Sequence, residues 1–155
     1  LAETHDLLSH EDVSEARVDD IARKIVGVAN ANLRPPDANI EFVVEPCPIV
    51  IPSRAVAILA LVLNEMVSNA IKHGIVGASK GHVTIRGREE NDEMIVEVLD
   101  TGSGPVEPLE ESGEGLGLSL IRNLIGDLGG RFVLRRTGET PPRTCAEARF
   151  PLTRR

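Results

Sequence analysis

The sequence predicts an α+β fold: a two-layer sandwich in which a mixed, mostly antiparallel sheet carries helices on one face. Three features predict it. Segments with apolar residues at helical spacing are interleaved with short alternating segments. The later alternating segments come in sequential pairs joined by turn residues, the pattern of antiparallel hairpins. The resulting order of helix, strands, long helix, hairpin, loop, helix, hairpin leaves one sheet to be covered by helices on one side. At 155 residues the chain can bury one core and not two.

The elements follow in order. Leu1–Leu8 reads as the end of a helix broken around Ser9–Asp12, so residues 1–12 are assigned to the end of an upstream helical region and 13–155 to the main domain. Ser14 is a candidate N-cap for a helix from Glu15 to Leu33. Val18, Ile21, Ala22, Ile25, Val26, Ala29 and Leu33 line one face of it, and Pro35-Pro36 stops it. Ile40–Glu45 and Ile49–Ile51 read as short strands. Ser53 is placed to cap a long helix, Arg54 to His73, with core contacts from Ile58, Leu61, Val62 and Met66 and a stop at Gly74. His82–Glu89 and Met94–Leu99 alternate about Asn91-Asp92 as a hairpin. A Gly/Pro/Glu-rich loop, Thr101–Gly115, leads to a helix from Leu116 to Leu128 closed by Gly129-Gly130. Arg131–Arg136 and Cys145–Leu152 complete the chain as strands.

Composition removes several functions. The formal charge is −7, and the only aromatics are Phe42, Phe132 and Phe150. A nucleic-acid binder needs a positive footprint, and a single-strand binder needs aromatic faces for the bases. Cys47 and Cys145 form no CxxC pair and no disulfide framework, which favours a reducing, cytoplasmic compartment; a pairing between the two stays open. No spacing suggests zinc. The longest apolar run, Ala55 to Leu63, is far short of the roughly 20 residues a membrane span needs. The chain starts at Leu1 rather than Met and is read as a fragment.

Three segments carry chemistry. In Asn64-Glu65-Met66-Val67-Ser68-Asn69-Ala70-Ile71-Lys72-His73, the residues Glu65, Asn69 and His73 recur every fourth position and share a helical face. Read alone, this is equally an exposed helix face. Asp100-Thr101-Gly102-Ser103-Gly104 ends a strand with a carboxylate and two glycines, either an ordinary turn or an acceptor at the floor of a cleft. Gly113-Glu114-Gly115-Leu116-Gly117-Leu118 enters a helix with free N–H groups and the positive end of its dipole, an anion site. It is neither the dinucleotide fingerprint, since Leu118 stands where the third glycine would fall, nor a P-loop.

Taken in order, E-x-x-x-N-A-x-K-H, D-x-G-x-G and G-x-G-L-G-L resemble the N, G1 and G2 boxes of the Bergerat-fold ATPases, which include gyrase-type and mismatch-repair ATPases, heat-shock chaperones and histidine kinases. The form of the boxes is most similar to the catalytic ATP-binding domain of a two-component sensor histidine kinase, over Asn39 to Leu152. Thr144 and Phe150-Pro151 match a G-T…F-P ending, with Arg143 in place of the glycine. Thr4-His5-Asp6-Leu7-Leu8 is similar to the segment closing the dimerisation helices in the subgroup related to HWE-type kinases.

The resemblance implies ATP and Mg²⁺ as cofactors. It makes Asn69 the Mg²⁺ ligand, with Glu65 orienting a metal-bound water or acting as base, and it sets Lys72 and His73 near the phosphates. Asp100 accepts from the adenine amino group, Gly102 lets the base approach, and Gly104 hinges a lid over Pro105–Glu114. Gly113, Gly115, Leu116, Gly117 and Leu118 bind the phosphates, the helix entry through backbone N–H groups, and Thr144 hydrogen-bonds near adenine. The reaction it implies is transfer of the γ-phosphate to a histidine on an upstream dimerisation and phosphoacceptor domain. The partners it implies are that domain, a second copy joined through it, and a response regulator. Nucleic acid is excluded and membrane contact by this segment is not expected. His5 lies too close to Asn69 for a helical hairpin to fit between, so it is not read as the acceptor, and the fragment is not expected to autophosphorylate alone. Two other readings share the motifs: an anti-sigma-type serine kinase on the same fold, and a degenerate nucleotide-binding module.

Overall fold

The structure, a computed structural model, describes residues 15–32, 39–75, 80–102 and 116–152. The leader through Ser14, Gly104, the expected lid with Gly113, and Gly115 lie outside these residues. The elements are β1 (Glu15–Arg17), α1 (Val18–Asn32), β2 (Asn39–Val44), β3 (Val50–Pro52), α2 (Ser53–Asn69), β4 (Lys80–Glu90), β5 (Glu93–Asp100), α3 (Leu116–Asp127), β6 (Arg131–Arg136) and β7 (Thr144–Pro151). A π turn, Ala70–Gly74, continues α2.

Five strands form the main sheet in the order β2-β4-β5-β7-β6. β2 runs parallel to β4, because α2 intervenes as a crossover; the other pairs are antiparallel. Strand alternation gives the sheet two different faces. Val83, Ile85, Met94, Val96, Val98, Ala146, Ala148 and Phe150 share one core with the buried residues of α1, α2 and α3, so the expected two-layer arrangement holds. The other face carries charge. Glu97, 1% exposed, accepts from Arg86 at 2.7 Å and Arg135 at 2.9 Å. Burial pushes its carboxyl up, but Arg86, Arg88 and Arg135 outweigh that and hold it below the ordinary range. Ile95, Leu99 and Cys145 are fully buried on this face. Ile95 stands in register between Arg88 and Arg149, whose long stems can cover apolar surface.

α2 is the central helix. Leu59, Val62, Leu63, Met66 and Val67 are at most 1% exposed, and burying each side chain of that size is worth about 1.5–3 kcal/mol. Leu61, expected in the core, is instead 54% exposed: the apolar stripe is wider than the face that meets the sheet. Ser53–Lys72 is long and apolar enough by length and composition to cross a membrane, which the run-length criterion missed. Its apolarity is accounted for by packing, since α2 is flanked by α1 and α3 and lies against β5.

Three boundaries differ from expectation. Glu15–Arg17 is strand rather than helix, because Glu15, Ala16 and Arg17 pair antiparallel with Pro52, Ile51 and Val50 of β3. The helix then opens at Val18, with Asp19 as its anchor: Asp19 accepts two bonds from Arg17, at 3.0 and 2.8 Å, and one from the Cys47 N–H at 2.8 Å. The bond from Arg17 holds this buried carboxyl well below the ordinary range. Secondly, Ser53 does not cap α2. The cap position is Pro52, extended at φ −68° and ψ 160°, with no side-chain cap bond. Thirdly, the last turn of this helix is π rather than α, with the Ile75 N–H donating to the Ala70 carbonyl at 2.9 Å. Cys47 and Cys145 are both free and buried, which answers the question of their pairing.

Candidate functional site

The site begins with the antiparallel contact of α2 and α3. Arg54, in the first turn of α2, donates to the Asp127 carbonyl at the end of α3 at 2.8 Å. The end of α2 that carries Glu65 and Asn69 therefore meets the start of α3. There the backbone comes close: a Cβ built at Gly117 would stand 2.6 Å from Glu65 Oε1 and 3.7 Å from Asn69 Oδ1. With glycine here the Glu65 carboxylate can lie directly against the helix backbone, whereas any Cβ would push that side chain aside; Gly117 sits in the first helical turn, whose N–H groups lack intrahelical partners. A groove of about 420 Å³ opens beside this contact, lined by Glu65, Gly117, Ser119, Leu120 and Asn123. Glu65 and Asn69 are half-buried and Lys72 is exposed. Leu118 is 3% exposed, so its side chain belongs to the core and only its backbone is left for a ligand.

His73 falls within a π turn, Ala70–Gly74, that continues the helix carrying Glu65 and Asn69. Such turns occur frequently at functional sites, and this one lies against β5.

A second cluster forms at the end of β5. Cross-strand register sets Phe42, Val83, Asp100, Thr144 and Arg136 in one row across all five strands. By alternation this row lies on the helix side of the sheet. Asp100 is 4% exposed. Burial pushes its carboxyl up to about 6, against the Gly102 N–H and the charge of Arg136, which pull it down. The Gly102 N–H donates to Asp100 Oδ1 at 2.8 Å, which among the described residues leaves Oδ2 for an incoming donor. Thr144 Oγ1 lies 3.4 Å from the Gly102 carbonyl as a donor. Beside it, Thr101 and His82 bridge β5 and β4: each backbone N–H donates to the other residue, at 3.1 and 3.2 Å. The imidazole of His82 is exposed as expected, 3.1 Å from a Glu41 carboxylate oxygen.

Arg136 was not among the residues singled out by sequence. Its Nη1 donates to the Gly102 carbonyl at 2.8 Å and to Thr144 Oγ1 at 2.7 Å. The signal existed only as a pairing: Arg136 and Thr144 face each other across the last hairpin, and no motif spacing reveals that. Among the described residues no cluster of three or more His, Cys, Asp or Glu could hold a metal ion. The amide oxygen of Asn69, beside the N-terminal turn of α3, does fit Mg²⁺, which takes one or two protein oxygens and completes its shell with phosphates and waters.

Comparison with known proteins bears on the family and the fold. Residues 55–154 match the family model described as histidine kinase-, DNA gyrase B-, and HSP90-like ATPase. No curated protein sequence matches. Among solved structures, the catalytic domain of the histidine kinase ThkA superposes with a TM-score of 0.69 at 22% identity, covering 91% of this chain and 97% of that one. The histidine kinase domain of the Erythrobacter litoralis EL346 blue-light activated histidine kinase gives 0.68 at 22% identity, covering 88% of this chain. The present chain spans 61% of that domain's length. A mycobacterial sensor histidine kinase, MprB, gives 0.63 at 17% identity over 91% and 99% of the two chains.

Proposed function

Because the chain belongs to the histidine kinase-, DNA gyrase B- and HSP90-like ATPase family, we propose that it is the Mg·ATP-binding catalytic domain of a sensor histidine kinase in a two-component pathway. The observation that carries the site is the closure of Gly117 onto Glu65 and Asn69. It joins a helix N-terminus, suited to phosphate, to an amide oxygen suited to Mg²⁺. Asp100, buried with one oxygen uncommitted among the described residues, supplies the base-recognition end. A carboxylate there accepts from the amino group of adenine and repels the carbonyl that guanine presents in its place.

In this reading Asn69 holds Mg²⁺ when the ion is bound, and the ion neutralises charge developing on the phosphates. Glu65 orients a water or takes a proton. Lys72 and His73 add positive charge near the phosphates, and the N–H groups of Gly115 to Leu118 cradle them. Phosphoryl transfer demands little covalent chemistry of the protein, so positioning and charge neutralisation carry it. The acceptor is a histidine on a phosphoacceptor domain that also dimerises, and a response regulator takes the phosphoryl group onward. A cytoplasmic location fits that role.

Calorimetric titration of ATP and GTP, with and without Mg²⁺, tests the proposal on the wild type and Asn69→Ala. The wild type is expected to bind Mg·ATP in preference to Mg·GTP, and the variant to lose the part of the affinity that depends on Mg²⁺. Absence of ATP binding by the wild type, or an unchanged Mg²⁺ dependence in the variant, would overturn it.

A further inference from the structure

We propose that Arg136 is a positioning residue for the base-binding end of the site, fixing the turn after Asp100 so that the carboxylate and the Gly102 backbone are presented together to adenine. The inference rests on the nucleotide-binding reading above and goes beyond the three sequence boxes, none of which contains Arg136.

The geometry is a clamp. Gly102 is held at both ends: its N–H donates to Asp100 Oδ1 at 2.8 Å, and its carbonyl accepts from Arg136 Nη1 at 2.8 Å. The same nitrogen donates to Thr144 Oγ1 at 2.7 Å. One guanidinium nitrogen therefore ties β6, β7 and the turn after β5 into a unit. The neighbouring positions on this face of β6 are Phe132, 7% exposed, and Leu134, packed against the core. A cation at the next position on an otherwise apolar face needs acceptors or it destabilises the fold. The Gly102 carbonyl and Thr144 Oγ1, which accept from it, both border the Asp100 turn. A guanidinium offers several donors in a fixed plane, which suits it to gripping two acceptors at once.

The clamp also has an electrostatic side. Asp100 faces Arg136 along the row from β6, Thr144 from β7 and apolar Val83 from β4. Among the described residues, Arg136 is the charged group that acts on it. Removing the guanidinium would both loosen the Gly102 carbonyl and take away the counter-charge of the carboxylate that adenine needs ionised.

The test measures Mg·ADP affinity and melting temperature for the wild type, Arg136→Met, Arg136→Lys and Asp100→Ala. Arg136→Met keeps the length and removes the donors; Arg136→Lys keeps charge and donors. Losing hydrogen bonds from a charged group predicts a fall in affinity of about tenfold to a hundredfold for Arg136→Met, with most of it restored in Arg136→Lys and melting temperatures close to wild type. If Asp100→Ala binds Mg·ADP as the wild type does, the site reading itself fails. If Asp100→Ala weakens binding and Arg136→Met does not, the role of Arg136 alone is overturned. Should Arg136→Met not fold, Arg136→Leu, matched to Leu134 on the same strand face, takes its place. Unfolding of both, with the fold recovered by Arg136→Lys, would assign Arg136 to stability and overturn the proposal.

Discussion

At Asp100 a carboxylate is kept almost out of water by the fold, and yet the proposed role in base recognition needs it in its charged form. Burial raises its pKa to about 6, so the folded state holds this proton more tightly than the unfolded chain. The stability this group withholds is therefore missing above about pH 6 and is recovered as pH falls through that value toward the ordinary carboxylate range. Ligand affinity moves the opposite way, because a protonated carboxyl no longer accepts freely from an amino group. Mg·ADP affinity is expected to drop as pH falls from 7.5 to 5 in the wild type and to stay flatter in Asp100→Asn, whose amide does not titrate. The ratio of the two constants cancels the nucleotide's own protonation, and a pH-independent ratio would remove Asp100 from base recognition. Asp100 was legible in the sequence as the head of D-x-G-x-G. Arg136 was not, because its role depends on a strand pairing and on a carbonyl 34 residues away in sequence.

At the level of elements, the ends of helices separate what local chemistry dictates from what neighbours impose. Gly129-Gly130 ends α3 as its composition suggests. The Gly130 N–H donates to the Ile125 carbonyl and the Gly129 N–H to Gly126, each at 2.9 Å, and Gly129 has φ +77°, the pattern of a left-handed C-cap. Gly130 is required for another reason: a Cβ there would fall 1.9 Å from the Arg149 carbonyl oxygen of β7. Gly130→Ala is expected to cost about 1–3 kcal/mol or more, seen as a lower melting temperature; unaltered melting would mean that the turn can move aside. The hairpin turn Asn91-Asp92, with φ of 52° and 64°, was similarly readable, since these two side chains tolerate the left-handed region. The entry of α1 was not, because Glu15–Arg17 has no strand signal of its own and is drawn into extension by β3.

For the molecule as a whole, α2 decides which apolar residues count. Leu61 and Leu63 are indistinguishable by residue type, but Leu63 is fully buried and Leu61 is 54% exposed. Leu63→Ala is expected to cost about 2–5 kcal/mol, whereas Leu61→Ala should change stability by no more than about 0.5 kcal/mol. Chemical denaturation of the two variants checks this, and equal losses would contradict the packing described. The net charge of −7 does not oppose the proposed nucleotide binding, since in that proposal phosphate is neutralised locally, by a metal, a lysine and helix N–H groups, rather than by the charge of the surface. The sequence by itself determined the two-layer class, the order of the main-sheet strands along the chain and the three boxes, since periodicity, turn chemistry and motif spacing are local properties. Tertiary structure alone decided that Gly117 closes on Glu65, that β1 pairs with β3, that the end of α2 winds as a π turn, and that Arg136 grips Gly102 and Thr144. Each of these depends on two segments brought together by the sheet register and by the antiparallel packing of α2 on α3, which no single stretch of sequence encodes.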